Sequence, residues 1–232
     1  MTNIQQQNFK ESPWFSKSKE ELISVLGVGG IGSNTLYNLA KTLLSEFAIF
    51  DDDLVETHNV GSQYFSIFDT GDSKVMALYK TLSADSARIH PFNLRISSEV
   101  PASAFYAPIM IVGFDNMESR KYAFDAWKEQ YDRELFIDGR LRATQYEVFS
   151  VQASDDKSRE KRYEETLFSD DEVIEEPCTF KQTAYAGMLI GARITSILTN
   201  YLANKYANEE QLYSVPFHYK ELLEMCYTEI NE

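Results

Sequence analysis

Cysteine is nearly absent: Cys178 and Cys226 are the only two in 232 residues, too few for a disulfide framework or a four-cysteine zinc site. No zinc is therefore expected, and the scarcity fits a reducing, cytoplasmic setting. Basic residues are also few, 22 Lys and Arg against 36 Asp and Glu, giving a formal charge of −14. Gripping a nucleic-acid backbone needs clustered cations that displace counterions, so nucleic acid is not an expected partner. A small anionic ligand fits the same balance, because fixed backbone dipoles hold it locally. Long apolar runs are missing as well. The opening MTNIQQQNFKESPWF has no stretch able to serve as a signal sequence, and the most apolar later stretch, 184–202, carries Arg193 with several Thr and Asn. A membrane helix needs ~20 mainly apolar residues, so no membrane association is expected. There is no internal repeat.

What is present is an ordinary globular composition, 44% hydrophobic and 25% charged, which predicts one domain over 1–232. Residues 21–26 read as a short buried strand, followed by a glycine turn and a helix with Ile31, Leu36, Leu39, Ala40 and Leu43 on one face. A second apolar run, 47–50, ends in Asp51-Asp52-Asp53 and completes a right-handed β-α-β unit. Val75, Leu78, Tyr79 and Leu82 mark another helix, then a strand is expected around 92–96. Residues 109–114 form an apolar strand, 117–131 a helix with Ala123, Ala126, Trp127 and Tyr131 inward, and 135–138 a strand. The alternation predicts an α/β fold, Rossmann-like and doubly wound around a mainly parallel sheet. Residues 143–153 follow Gly139 too closely for a helical crossover, so antiparallel strands are expected to join the sheet in the C-terminal half. The segment 154–178 is acidic and reads as a mobile loop, either a solvated linker or a crossover above a partner. A helix opens near Thr179 and Gln182, a capping-box pair, and Gly187 and Gly191 on one face of it suit close packing. The tail, 212–232, reads as a short strand and a final helix.

The chemistry concentrates at the carboxyl ends of these strands. Gly27, Gly29, Gly30 and Gly32 have the G-x-G-x-x-G spacing between a strand and a helix. Without side chains, backbone N–H groups approach a phosphate closely, and the helix N-terminus adds partial positive charge. NAD, FAD, SAM and ATP all use such turns. Asp51 and Asp53 follow at about 20 residues, where a carboxylate accepts bonds from ribose hydroxyls. Asn59 and Gln63 come next, then Lys74 at the head of a helix, a place suited to β- and γ-phosphates or simply to a solvated lysine. Asp115 and Asn116 follow an apolar strand directly. Asp115 suits Mg²⁺, which takes oxygen ligands from carboxylates and phosphates, or else caps the helix from Met117.

Together GVGGIGS at 27–33, DDDLVETHNVGSQ at 51–63, GDSK at 71–74 and FDNMESR at 114–120 resemble the adenylation domain of the ThiF/MoeB and ubiquitin-activating group. The resemblance covers about residues 20–205 and is concentrated in 22–120. It implies ATP on the glycine turn, Asp53 on the ribose, Lys74 on the phosphates, Asp115 on Mg²⁺, and Asn59 and Gln63 near the phosphates. It also implies a partner, a ubiquitin-like or sulfur-carrier protein whose C-terminal glycine carboxylate attacks the α-phosphate, and a homodimeric or heterodimeric assembly. Arg120 matches a recurrent arginine that is structural or catalytic. Ser62 departs from the pattern, standing where the group has an arginine before the glutamine. That substitution opens two other readings: a nucleotide-binding subunit without turnover, or a cation supplied in trans. A nicotinamide-dependent oxidoreductase would use the glycine turn and Asp53, but leaves Lys74 and Asp115 without a task. Cys178, just before the Thr179 cap, is placed for a lowered thiol pKa and for thioester chemistry, or is a buried structural cysteine.

Overall fold

The computed structural model describes residues 12–83, 87–142, 145–168, 184–207 and 213–232. Alternating apolar stretches become eight strands of one sheet: β1 (Leu22–Leu26), β2 (Glu46–Phe50), β3 (Arg88–Phe92), β4 (Ile109–Val112), β5 (Leu135–Arg142), β6 (Gln145–Gln152), β7 (His218–Leu222) and β8 (Tyr227–Asn231). Their order is β3-β2-β1-β4-β5-β6-β7-β8. The pairs from β3 through β5 are parallel, and those from β5 to β8 antiparallel. The expected mixed sheet is thus formed, with β6 returning antiparallel beside β5. The helices are α1 (Pro13–Lys17), α2 (Gly32–Thr42), α3 (Lys74–Ser83), α4 (Met117–Lys128), α5 (Lys157–Glu164) and α6 (Ala184–Tyr206). None among the described residues is long and apolar enough to cross a membrane.

The period-two geometry of a strand sends alternate side chains into two cores. Ile23, Val25, Phe47, Ile49, Ile109, Ile111, Leu135 and Ile137 join residues of α2, α3 and α6 on one side. Leu26, Ala48, Phe50, Met110, Val112 and Phe136 join Phe124, Trp127 and Tyr163 of α4 and α5 on the other. The central strands are apolar on both faces because helices cover both, as parallel sheets require. The chain leaves β1 toward β2 on one side and returns at β4 on the other, so a crevice opens where the strand order reverses.

Five expectations are corrected. The third strand is Arg88–Phe92 rather than 92–96; the register Phe50↔Phe92 ends both strands together, and the two rings stack at 4.8 Å. Within the expected loop 154–178, Lys157–Glu164 is helix α5, capped by Asp156 accepting from the Ser158 N–H. One buried residue, Tyr163, anchors that charged helix, which is why composition concealed it. Residues 169–178 of that loop, with Cys178 and the Thr179–Gln182 pair, lie outside the described residues. The tail ends in the hairpin β7–β8 rather than a helix. Tyr131, expected inward, is 98% exposed, since α4 ends at Lys128, and Tyr79 sits at the rim of α3 rather than inside.

Gly187 and Gly191 of α6 do pack closely. A β-carbon on Gly191 would lie 2.8 Å from the Asn34 carbonyl carbon and 2.9 Å from the Thr35 nitrogen, both backbone atoms of α2. Gly191→Ala therefore forces two helices apart. The expected cost is about 1–3 kcal/mol, read as a fall in Tm of roughly 2–4 °C per kcal/mol; an unchanged melting curve would contradict this packing.

Candidate functional site

The glycine turn is held by backbone on both sides. Gly27, at φ +81°, donates its N–H to the Phe50 carbonyl at 2.9 Å. Gly113 donates to the Leu26 carbonyl at the same distance, drawing the end of β4 against the turn. A β-carbon on Gly32 would fall 1.9 Å from the Gly27 carbonyl oxygen. Gly32 thus serves helix-to-strand contact and does not line the cavity, whereas Gly27, Gly29 and Gly30 do.

Asp51 locks this turn from the neighbouring strand. Its carboxylate accepts from the Val28 N–H at 2.8 Å and the Asp53 N–H at 3.0 Å. Burial raises its pKa, outweighing the opposing pull of Lys74. These bonds make Asp51 an internal brace. Asp53 is different: its side chain is 65% exposed, leaving room for ribose hydroxyls. Lys74 is 6% exposed, not solvated; its Nζ lies 2.7 Å from Asp53 Oδ2 and 3.9 Å from Asp51 Oδ1. The Lys74 N–H also bonds the Asp53 carbonyl at 3.0 Å, so the start of α3 and the end of β2 are tied twice.

Asn59 is buried and does not reach the cavity. Its Oδ1 accepts the Glu56 N–H at 2.8 Å, shaping the 57–61 turn. Gln63 does line the cavity, and its Oε1 is buried without a hydrogen-bond partner. Ser62 does not line it. Its carbonyl accepts from Asn34 at 3.4 Å and faces Gly187 of α6, so no cation reaches the cavity from this turn.

At the end of β4 the helix cap is Asn116, whose Oδ1 accepts the Ser119 N–H at 2.8 Å. Asp115 is relieved of that task and stands exposed on the cavity, 3.3 Å from the Asn116 amide. Arg120 is buried and bonds Asp138, the Gly139 carbonyl at 2.9 Å and the Phe114 carbonyl. Asp138, wholly buried, also accepts from Arg140 Nε at 2.7 Å and the Tyr163 hydroxyl at 3.0 Å. Arg140 reaches on to the Thr166 carbonyl and hydroxyl at 3.0 and 2.8 Å. One carboxylate thereby joins β5, α4 and α5 below the site, and Arg120 acts as structure.

The glycine turn, Asp51, Asp53, Gln63, Lys74, Asp115 and Asn116 meet at one cavity of about 790 Å³. The carboxylates of Asp51, Asp52 and Asp53 approach within 4.8 Å of one another, but Asp51 is taken up by backbone N–H groups and Asp53 by Lys74. Sequence reading missed the far wall, where Arg140, Arg142, Gln145, Glu147 and Thr166 line the cavity, and Arg95 at the opposite side. Strand alternation places 138, 140 and 142 on one face, but only the length of β5 beyond Asp138 reveals that they rise above the sheet edge. Cys226, exposed in a left-handed turn, lies on no part of this cavity.

A family model described as the ThiF family matches residues 3–227. Among curated proteins, the ubiquitin-like modifier-activating enzyme 5 of Drosophila virilis is 31% identical over 86 residues, covering 36% of this chain and 22% of that protein. The Culex quinquefasciatus enzyme of the same name is 30% identical over 103 residues, covering 44% and 26%. The alignments thus span about a quarter or less of those relatives' length. Among solved structures, E. coli MccB with ATP superposes at a TM-score of 0.72 with 18% identity, covering all of this chain and 72% of that one. PaaA gives 0.70 with 15% identity, covering 94% and 75%.

Removing the shared carboxylate should be costly. Asp138→Ala leaves two guanidinium groups without their buried partner, for an expected loss of about 3–5 kcal/mol. Urea denaturation would show it as a lowered midpoint, and a shift under 1 kcal/mol would mean the network carries little of the fold.

Proposed function

Because this chain belongs to the ThiF family, we propose that it is an ATP-dependent adenylyltransferase that activates the C-terminal carboxylate of a ubiquitin-like or sulfur-carrier protein and releases pyrophosphate. The observation that carries this reading is Lys74. A lysine buried at the lip of a phosphate-sized glycine turn, held between Asp51 and Asp53, suits a polyphosphate and has no use in hydride transfer. Relatives named as ubiquitin-like modifier-activating enzymes and a structural neighbour crystallised with ATP and another with AMPCPP and MccA favour the same chemistry.

In this reading the Gly27–Gly30 backbone and the N-terminus of α2 receive the phosphates, and Asp53 accepts from the ribose. Lys74 offsets charge between two anions that otherwise repel. The acceptor carboxylate oxygen attacks the α-phosphorus, a new phosphorus–oxygen bond forms, and the bond to the bridging oxygen breaks. Pyrophosphate leaves with that electron pair, and an acyl adenylate remains. Asp115, exposed on the cavity and spared from capping, offers the hard oxygen that Mg²⁺ takes together with phosphate oxygens. Mg²⁺ would supply positive charge to the phosphates there. A cytoplasmic setting and a homodimer or heterodimer complete the proposal, as does Cys178 as a thioester candidate.

The second reading, a nucleotide-binding subunit without turnover, is favoured by Ser62, whose backbone faces α6 instead of the cavity. ATP–pyrophosphate exchange with candidate carriers separates the two. Exchange supports the adenylyltransferase; ATP binding with no exchange selects the subunit. If exchange occurs, Lys74→Ala and Asp115→Ala should each lower it by about 10²–10³ while circular dichroism stays native, and full activity in either variant removes that residue from the site.

A further inference from the structure

Among the described residues five cations line the cavity; three are matched, and Arg95, at the β3 side, and Arg142, on the far wall, are exposed without a partner among those residues. Lys74 is held by Asp53 and Asp51, while Arg120 and Arg140 share Asp138. Arg142 makes no hydrogen bond or ion pair to any described residue, although this is a chain of net charge −14. Its strand neighbours do not neutralise it. Gln145, its register partner, is uncharged, and the Glu147 carboxylate lies 3.4 Å from both His218 Nε2 and Lys220 Nζ. Those two partners, His218 first, hold its pKa below the usual range against its own burial. An exposed guanidinium on a cavity wall, with no partner among the described residues, is suited to recognising an anion.

Its height decides which anion. The parallel core ends level at Leu26, Val112 and Asp138, which are register partners, and the glycine turn starts at that level. Arg142 is four residues further along β5, about 13 Å at ~3.3 Å per residue. Phosphates received on the turn would lie below it, whereas an acceptor entering from solvent would pass it. An extended chain advances roughly 3.3–3.6 Å per residue, so the same rise corresponds to about four residues of peptide.

We propose that Arg142 recognises an acidic side chain of the acceptor about four positions before its reacting carboxyl terminus. The assignment rests on the adenylation reading, and it makes the acceptor tail more than a neutral glycine thread. A charge on the strand end selects among carriers by their approach, as paired charges at interfaces do.

The test uses the full chain with saturating α,β-methylene ATP and short fluorescein-labelled peptides ending in Gly-Gly. The peptides carry either Glu or Lys at the proposed position, and fluorescence anisotropy measures their affinity. The wild type should prefer the Glu peptide by about tenfold or more, the scale of one charge-assisted contact. Arg142→Glu, an exposed substitution, should reverse the order. Equal affinities, an order unchanged by Arg142→Glu, or no binding of either peptide would overturn the assignment. So would weakened ATP binding in the variant, which would place Arg142 on phosphate instead. ATP affinity of the wild type is measured alongside. Failure there removes the adenylation reading, whereas intact ATP binding without peptide ranking removes Arg142 alone.

Discussion

The turn between β1 and α2 has no space for a β-carbon where the chain reverses. Gly32 meets the Gly27 carbonyl, Gly27 lies against Gly113, and Gly113 in turn against Ile31. This contact brings a helix N-terminus onto a strand end with nothing between but backbone. The rest of the site is hung from it. Asp51 reaches across from β2 to the Val28 N–H, so the position of the turn is fixed by the next strand. Through Asp53 the same strand end fixes Lys74. Bare N–H groups, an exposed acid and a buried ammonium are therefore related by one short stretch of main chain rather than by flexible side chains, and preorganised charge of this kind is what the proposed phosphate chemistry would use.

The opposite half of the cavity is built on a different principle. There the sheet turns antiparallel, and a two-strand hairpin carries β5 past the edge of the parallel core. A buried carboxylate surrounded by two arginines and a tyrosine hydroxyl ties that hairpin to α4 and α5. Arg140 further stacks over Phe149 at 4.5 Å, so its charge is partly screened by a ring face. The result is asymmetric: a backbone-lined side suited to phosphates, and a side-chain-lined wall with one guanidinium, Arg142, that has no partner among the described residues. Such a division would suit the proposed reaction between a nucleotide and an acceptor.

Much of this was open to reading because local chemistry carried it. The glycine spacing, the acids after β2 and the Asp-Asn pair after β4 are short-range signals, each next to an apolar run that announces a strand. Period-two and period-3.6 patterns gave the parallel core and its helices for the same reason. Where the pattern depended on one residue, it was lost: α5 is charged along most of its length, and only Tyr163 marks its buried side. In the hairpin β7–β8 the first strand is half-buried and the second mostly exposed, so it lacks the apolar contrast that distinguishes strand from helix.

The sequence by itself determined the ligand-facing edge of this protein, since backbone conformation at Gly27 and Gly32 and acids at strand ends follow from residues a few positions apart. Tertiary structure alone decided which groups are available there. It turned Asp51 and Asn59 into braces, buried Lys74 against Asp53, gave the helix cap to Asn116 and left Asp115 facing the cavity. It also turned Ser62 toward α6 and raised Arg142 on the far wall without a counter-charge among the described residues. Those outcomes depend on which distant atoms fill each donor and acceptor, and contacts between residues far apart in the chain cannot be inferred from local spacing.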